Sequence, residues 1–126
     1  MPSRRRVPVD AGRAALTSWA ADPDGTDRST TALAVRFTLE ELGARAPGRS
    51  VEVRVPPFGV VQCIEGLTHR RGTPPNVIET DAATWLELAL GHLTAADAQA
   101  SGRLRVSGTR ADLTAYLPLF DDHDGS

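Results

Sequence analysis

Few side chains in this sequence have the type and spacing that catalysis requires. The single cysteine, Cys63, lies in an apolar run where no activating histidine can be predicted beside it, so we interpret it as a buried structural thiol. Glu65 and Glu79 are of a type that acts as general acid and base, but their spacing alone does not bring them together. Phosphate-binding loops, nucleotide-binding glycine motifs, nucleophile elbows and zinc-protease motifs are absent. The sequence therefore predicts a protein that is not an enzyme and uses no cofactor.

A group of basic side chains is the main candidate for recognition of a polar ligand. His69, Arg70 and Arg71 fall in a segment rich in Gly, Pro and Thr that is typical of an exposed loop, and Arg54 lies on a nearby predicted strand. Guanidinium groups bind carboxylates through paired hydrogen bonds, so these four residues could form the polar mouth of a ligand site. The alternative is a solvated polar turn, because charged loops are common.

The remaining histidines and the charged ends of the chain favour structural interpretations. His92 follows Gly91 and is expected to interact with carbonyl groups at a helix end. The acidic tail around His123 lacks the fixed geometry of a metal site, so no bound metal is predicted. Residues 1–9 carry three arginines and residues 121–126 carry three aspartates, and we expect both ends to be flexible.

Composition excludes several classes of protein. The chain has 126 residues with 40% hydrophobic and 24% charged side chains, which is typical of one globular domain. A net charge of −2 gives no general attraction to nucleic acid, and no apolar run is long enough for a transmembrane segment. The basic start leads into polar residues and not into an apolar signal core, so we expect a cytoplasmic location. All basic residues are arginine, which indicates a GC-rich bacterial genome.

The hydrophobic pattern predicts a helix pair over residues 10–45. Asp10 is expected to cap the first helix, because its carboxylate can accept hydrogen bonds from the first turn. The second helix is expected to begin near Ser29 or Thr30 and to stop at Gly43, the residue that ends its apolar stripe.

Residues 50–120 are predicted to form the sheet and the C-terminal helices. Valines alternate with charged residues over 51–55, which indicates a half-buried strand. Residues 58–64 and 76–80 are expected to form two further strands, and the first two strands are expected to pair antiparallel.

Capping signals divide the last third of the chain. Thr80 or Asp81 is expected to cap an apolar helix that ends at Gly91. Thr94 is expected to open a short helix, and residues 103–107 are expected to form a strand.

The last predicted element is a helix in which Leu113, Tyr116, Leu117 and Phe120 share a face. The order of elements is two helices, three strands, two helices, one strand and one helix. This order favours an α+β fold with a mainly antiparallel sheet of four to five strands, covered by helices on one face.

The apolar residues of these elements could line a ligand cavity or could fill their own core. Periodicity does not separate the two, although natural interiors rarely leave large voids. The candidate cavity residues are Phe58, Trp85, Leu86, Leu90, Leu93, Leu104, Val106, Leu113, Leu117 and Phe120.

Several segments taken together resemble the sterol carrier protein type 2 family, and more closely its small bacterial, actinobacterial-type members. The resemblance is carried by residues 76–94 and 101–108, with support from the Pro56-Pro57-Phe58 and Arg71-to-Asn76 segments. It covers about residues 50–120, while residues 1–45 match only the small bacterial relatives. It implies an open sheet covered on one face by helices, with an apolar cavity between them that accepts acyl chains or sterols.

Two functions follow from this resemblance. The first is a non-enzymatic binding or carrier module for an apolar, lipid-like or fatty-acyl molecule. The second is an accessory domain with a filled core that contacts a protein partner and binds no ligand. Relative to the full-length family, the chain has one strand fewer and an added N-terminal helix pair, so the presence of the cavity is left open.

Overall fold

The computed structural model describes residues 7–66, 76–108 and 112–120. The predicted flexible tail with His123, most of the predicted basic end and the loop that contains His69 lie outside these residues. The described part contains four helices and four strands, in the order α1 Val9–Ala21, α2 Arg28–Arg45, β1 Val51–Val55, β2 Gly59–Cys63, β3 Asn76–Thr80, α3 Ala82–Leu90, α4 Ala95–Ala100 and β4 Leu104–Ser107.

The helix pair forms with boundaries that differ from those predicted. Helix α1 begins after Pro8, and Asp10 lies within its first turn instead of capping it. Asp27 caps α2 by accepting a hydrogen bond from the Thr30 N–H at 2.7 Å. This helix continues through Gly43, which we expected to stop it. A Cβ atom at Gly43 would lie 3.0 Å from a side chain of the sheet, so close packing against the sheet outweighs the weak helix propensity of glycine.

The folded part of the chain begins earlier than expected. Val7 is buried, and its N–H donates a hydrogen bond to Glu40 Oε1 at 3.1 Å. Val7 therefore packs with the domain, whereas we had assigned all of residues 1–9 to a loose end.

Helices α1 and α2 approach each other closely at a glycine. A Cβ atom at Gly12 would lie only 2.2 Å from Cγ of Phe37, so no larger residue fits this crossing without movement of the ring. Leu16 and Trp19 of α1 are buried, and Phe37 of α2 is fully buried. The two helices are therefore tightly packed against each other.

The described strands form one mixed sheet in the order β2-β1-β3-β4. The β1–β2 and β3–β4 pairs are antiparallel, as predicted for the first of them, while β1 and β3 are parallel. Two of the three pairings are thus antiparallel, and the predicted α+β class is confirmed. The core face of β1 is fully buried, whereas Glu52 and Arg54 lie on the opposite face, which we call the open face.

The caps predicted for the last third are confirmed. Asp81 accepts a hydrogen bond from the Thr84 N–H at 2.7 Å, and Gly91 ends α3 in the left-handed conformation with φ of 81°. Thr94 caps α4 by accepting from the Asp97 N–H at 3.1 Å. These local signals placed both helix starts correctly.

The predicted final helix is wrong for the residues that the structure describes. Residues 112–120, which we call the closing segment, form turns instead. The N–H groups of Tyr116 and Leu117 both donate to the Leu113 carbonyl, which closes a single turn. Pro118 has no N–H to donate and disfavours a helical conformation in the residue before it, which explains the failure of the helix.

Among the described helices, none combines the length and the apolar character that crossing a membrane requires.

Candidate functional site

The structure brings all ten predicted cavity residues to one apolar core between the helices and the sheet. Half of them are buried members of the core cluster and half are partly buried residues that pack against it. The buried members are Trp85, Leu86, Leu90, Leu104 and Leu113. The partly buried members are Phe58, Leu93, Val106, Leu117 and Phe120. The apolar surface is therefore continuous from the interior to the exterior of the domain.

Trp85 is the largest fully buried side chain of this core and is fixed by a hydrogen bond. Its Nε1–H donates to Thr38 Oγ1 at 2.8 Å. The Thr38 hydroxyl in turn lies 2.8 and 2.9 Å from the carbonyl oxygens of Ala34 and Val35, to which it donates. Because a buried polar group without a partner is costly, this chain of hydrogen bonds sets the position of α3 on α2.

A second polar group joins α3 to β4 at the edge of the core. The Arg103 guanidinium donates to Thr84 Oγ1 at 3.1 Å and to the Glu87 carboxylate at 2.8 Å. The Thr80 hydroxyl donates to the Arg103 carbonyl at 2.7 Å. These contacts fix α3 on the start of β4 at the turn that carries Trp85 and Leu86, which lie between Thr84 and Glu87 in sequence.

Phe58 and Phe120 lie at different edges of the core. Arg28 lies over the Phe58 ring at 5.2 Å, and Arg36 donates a long hydrogen bond of 3.5 Å to the Phe58 carbonyl. The Phe120 ring stacks on Phe37, with 5.6 Å between ring centroids.

The helical repeat of α2 explains this separation. At 3.6 residues per turn, Arg28 and Arg36 lie on one side of α2, while Phe37 and Arg45 lie on the opposite side. Arg45 is the residue whose guanidinium covers the Phe120 ring, at 5.2 Å. The two aromatic residues therefore do not border a single opening.

Arg54 lies away from the predicted cavity residues. Its side chain is on the open face, where its Nε lies 2.5 Å from a carboxylate oxygen of Glu52. A shallow, open groove of about 440 Å³ lies there, lined by Glu52, Arg54, Pro56, Pro57, Gly59 and Val60. His69, Arg70 and Arg71, the other predicted residues of the polar mouth, lie outside the described residues.

Cys63, Glu65 and Glu79, the side chains considered for catalysis, lie in different surroundings in the described part of the chain. Burial raises the pKa of the Cys63 thiol to about 11, which keeps it protonated at neutral pH. Glu79 forms an ion pair with Arg105 at 2.7 Å on the open face, and Glu65 is exposed beyond the end of β2. Within residues 7–66, 76–108 and 112–120, no group of three or more potential ligands could hold a metal ion.

The closing segment contributes residues that the sequence pattern did not reveal. The N–H groups of Leu119 and Phe120 both donate to the Ala89 carbonyl near the end of α3, each at 2.9 Å. Arg45 donates to the Leu119 carbonyl at 2.6 Å. Leu119 is buried, although a helical reading of this segment placed it off the apolar face. The signal that could have identified it was Pro118, which ends any helix before it.

Comparison with protein families gives a match over most of the chain. The model of a family described as bacterial SCP orthologues, SCP being sterol carrier protein, matches residues 27–119. The matched region begins at the capping residue of α2 and ends inside the closing segment, so it includes all four strands of the sheet. No curated protein matches the chain in sequence.

Proposed function

The chain belongs to the bacterial family of sterol carrier protein orthologues, and from this membership we propose that it is a non-enzymatic binding or carrier module for an apolar, lipid-like or fatty-acyl molecule. The ligand would lie between the helices and the sheet, in the core that the predicted apolar residues form. Transfer of an apolar chain from water into such a layer stabilises the complex by about 0.8 kcal/mol per buried methylene group.

The observation that supports this proposal best is the continuity of the apolar core. Fully buried side chains such as Trp85 and Leu86 pass without interruption to partly buried ones such as Leu93 and Val106. An apolar molecule at the exposed edge would therefore meet apolar side chains, and not a polar layer, on the way to the centre of the core. For an acidic end, His69, Arg70 and Arg71 are the proposed contacts.

We assign no catalytic step to the protein. The Cys63 thiol is held protonated by burial, and the charged residues of the open face pair with each other. We further propose that the predicted domain of residues 10–120, with Val7 packed against it, acts as one unit in the cytoplasm of a bacterium.

The second candidate function is an accessory domain that contacts a protein partner and binds no ligand. Its support is the complete burial of the central side chains, because Trp85, Leu86 and Phe37 have 0% exposure. A core that is already filled by its own side chains needs no ligand for stability.

Replacement of Leu90 by tryptophan separates the two candidates. Leu90 lies in the last turn of α3 and is 7% exposed, so a larger side chain there extends into the proposed ligand layer. In a carrier, Leu90→Trp should weaken binding of a fluorescent fatty acid at least tenfold and leave the fold intact. In a filled core, the same change should lower the free energy of unfolding by about 1–3 kcal/mol.

A matched control uses the open face. Val60 is 59% exposed on β2, so Val60→Trp adds the same ring where no core contact exists and should change neither binding nor stability by much. Native mass spectrometry of protein purified from its own host provides an independent measurement. A co-purifying lipid mass supports the carrier proposal, and a bare chain that also fails to bind the fatty acid refutes it.

A further inference from the structure

The closing segment covers the apolar core without any regular secondary structure of its own. It is held to α3 by the two hydrogen bonds that the Leu119 and Phe120 N–H groups donate to the Ala89 carbonyl. It is held to α2 by the 2.6 Å hydrogen bond from Arg45 to the Leu119 carbonyl. A segment with few backbone hydrogen bonds opens at a lower free energy than the helices beneath it.

The side chains that this segment inserts into the core are apolar, as the proposed ligand is. Leu113 and Leu119 are both buried and belong to the same core cluster as Trp85 and Leu90. Two branched apolar side chains of the closing segment therefore fill part of the core in which the apolar ligand is proposed to lie. Removal of the segment would expose this part of the core without breaking a helix or a strand.

The outer edge of the segment is fixed by aromatic and cationic contacts. The Phe120 ring stacks on Phe37, while the guanidinium groups of Arg13 and Arg45 lie over it at 5.5 and 5.2 Å. Arg45 also forms an ion pair with Glu41 at 2.6 Å. The Arg45 side chain is 41% exposed, so its replacement removes contacts at the edge of the core and no apolar volume from the interior.

We propose that the closing segment is a built-in competitor of the ligand: it occupies the binding space in the empty protein and must leave α3 when an apolar chain binds. This inference rests on the proposed function, because it assumes that an apolar ligand enters the same core. The apparent affinity for the ligand is then reduced by the fraction of molecules in which the segment is docked.

Binding of cis-parinaric acid, a fluorescent fatty acid, to the full chain and two variants tests this inference. Arg45→Met removes the hydrogen bond to the Leu119 carbonyl, and Arg105→Met is the matched control on the open face. Loss of a charge-assisted hydrogen bond should favour the undocked state about tenfold, so the Kd of Arg45→Met should fall about tenfold while that of Arg105→Met stays unchanged.

Hydrogen exchange on the unmodified chain gives a second measurement that needs no variant. Addition of the fatty acid should accelerate exchange of the Leu119 and Phe120 amides, because their bonds to the Ala89 carbonyl break. The Trp85 amide, which donates to the Asp81 carbonyl inside α3, should not be accelerated.

The outcomes distinguish the two proposals. If the fatty acid binds Arg45→Met no more tightly than the unmodified chain, and the two amides stay protected, the closing segment is purely structural and the inference is overturned while the carrier proposal stands. If the fatty acid binds none of the three chains, both proposals fail together.

Discussion

The buried hydrogen bond between Trp85 and Thr38 provides the sharpest test of how the helix layer is held. Thr38→Val preserves the shape and the β-branch of the side chain but removes the hydroxyl that accepts from Trp85 Nε1. The carbonyl groups of Ala34 and Val35, to which that hydroxyl donates, remain within the body of α2. The main effect is therefore on the indole N–H, which loses its acceptor in a fully buried position.

The magnitude follows from the cost of an unpaired buried donor. Leaving one such group without a partner costs about 1–3 kcal/mol, so Thr38→Val should lower the free energy of unfolding by that amount. Trp85→Phe removes the N–H and part of the ring, and it should also destabilise because a cavity remains. In the double variant no donor is left unpaired. Its total loss should therefore be about 1–2 kcal/mol smaller than the sum of the two single losses.

Urea unfolding followed by circular dichroism gives the free energy of unfolding of the unmodified chain, the two single variants and the double variant. Circular dichroism is used because Trp85→Phe would alter a fluorescence signal. Thr31→Val, a half-buried threonine in the first turns of the same helix, is the control and should change stability by no more than about 0.5 kcal/mol. Additivity of the two single losses to within about 0.5 kcal/mol would refute the argument, because it would mean that the two side chains do not share an interaction.

Three further predictions concern backbone and thiol positions. Gly91→Ala should lower the melting temperature more than Gly102→Ala. Both residues have a φ near 80°, but only at Gly91 would the new Cβ contact Pro118, at 3.2 Å, so equal losses in melting temperature would contradict this contact. Gly12→Ala should lower the free energy of unfolding by about 1–3 kcal/mol in urea titration, because the new methyl group overlaps the aromatic ring facing it. Cys63 should resist a thiol reagent at pH 8 and react fully in urea, and rapid reaction of the folded protein would contradict its burial. The contribution of this thiol to stability should be lost as the pH rises from about 9 towards 11, because the thiol of the unfolded chain ionises first.

Local sequence signals predicted much of this fold. The alternating valines of β1, the Asp81 cap, the left-handed Gly91 and the Thr94 cap all act through residues within one turn or one strand of each other. Their energies do not depend on the rest of the chain, so a single sequence is enough to identify them.

The candidate site was predicted only as a set of residues. The ten apolar side chains are drawn into one core because burial of apolar surface is not directional. Their arrangement around α2, with Phe58 and Phe120 on opposite sides, depends on which helix packs where, and no local pattern contains that information. Arg54 is also only partly predictable from a local pattern. Strand alternation places its side chain on the face opposite the buried valines, but its distance from the predicted loop depends on the whole fold.

The sequence by itself determined the type and order of eight of the nine predicted elements, the α+β class and the membership of the apolar core. Each of these depends on local hydrogen bonding or on side-chain hydrophobicity. Only the tertiary structure decided that α2 continues through Gly43 and where residues 112–120 dock once Pro118 has prevented a helix there. Both outcomes come from contacts between residues far apart in the chain, with the sheet in the first case and with Arg45 and Ala89 in the second. Such contacts outweigh local propensities of about 1 kcal/mol per residue.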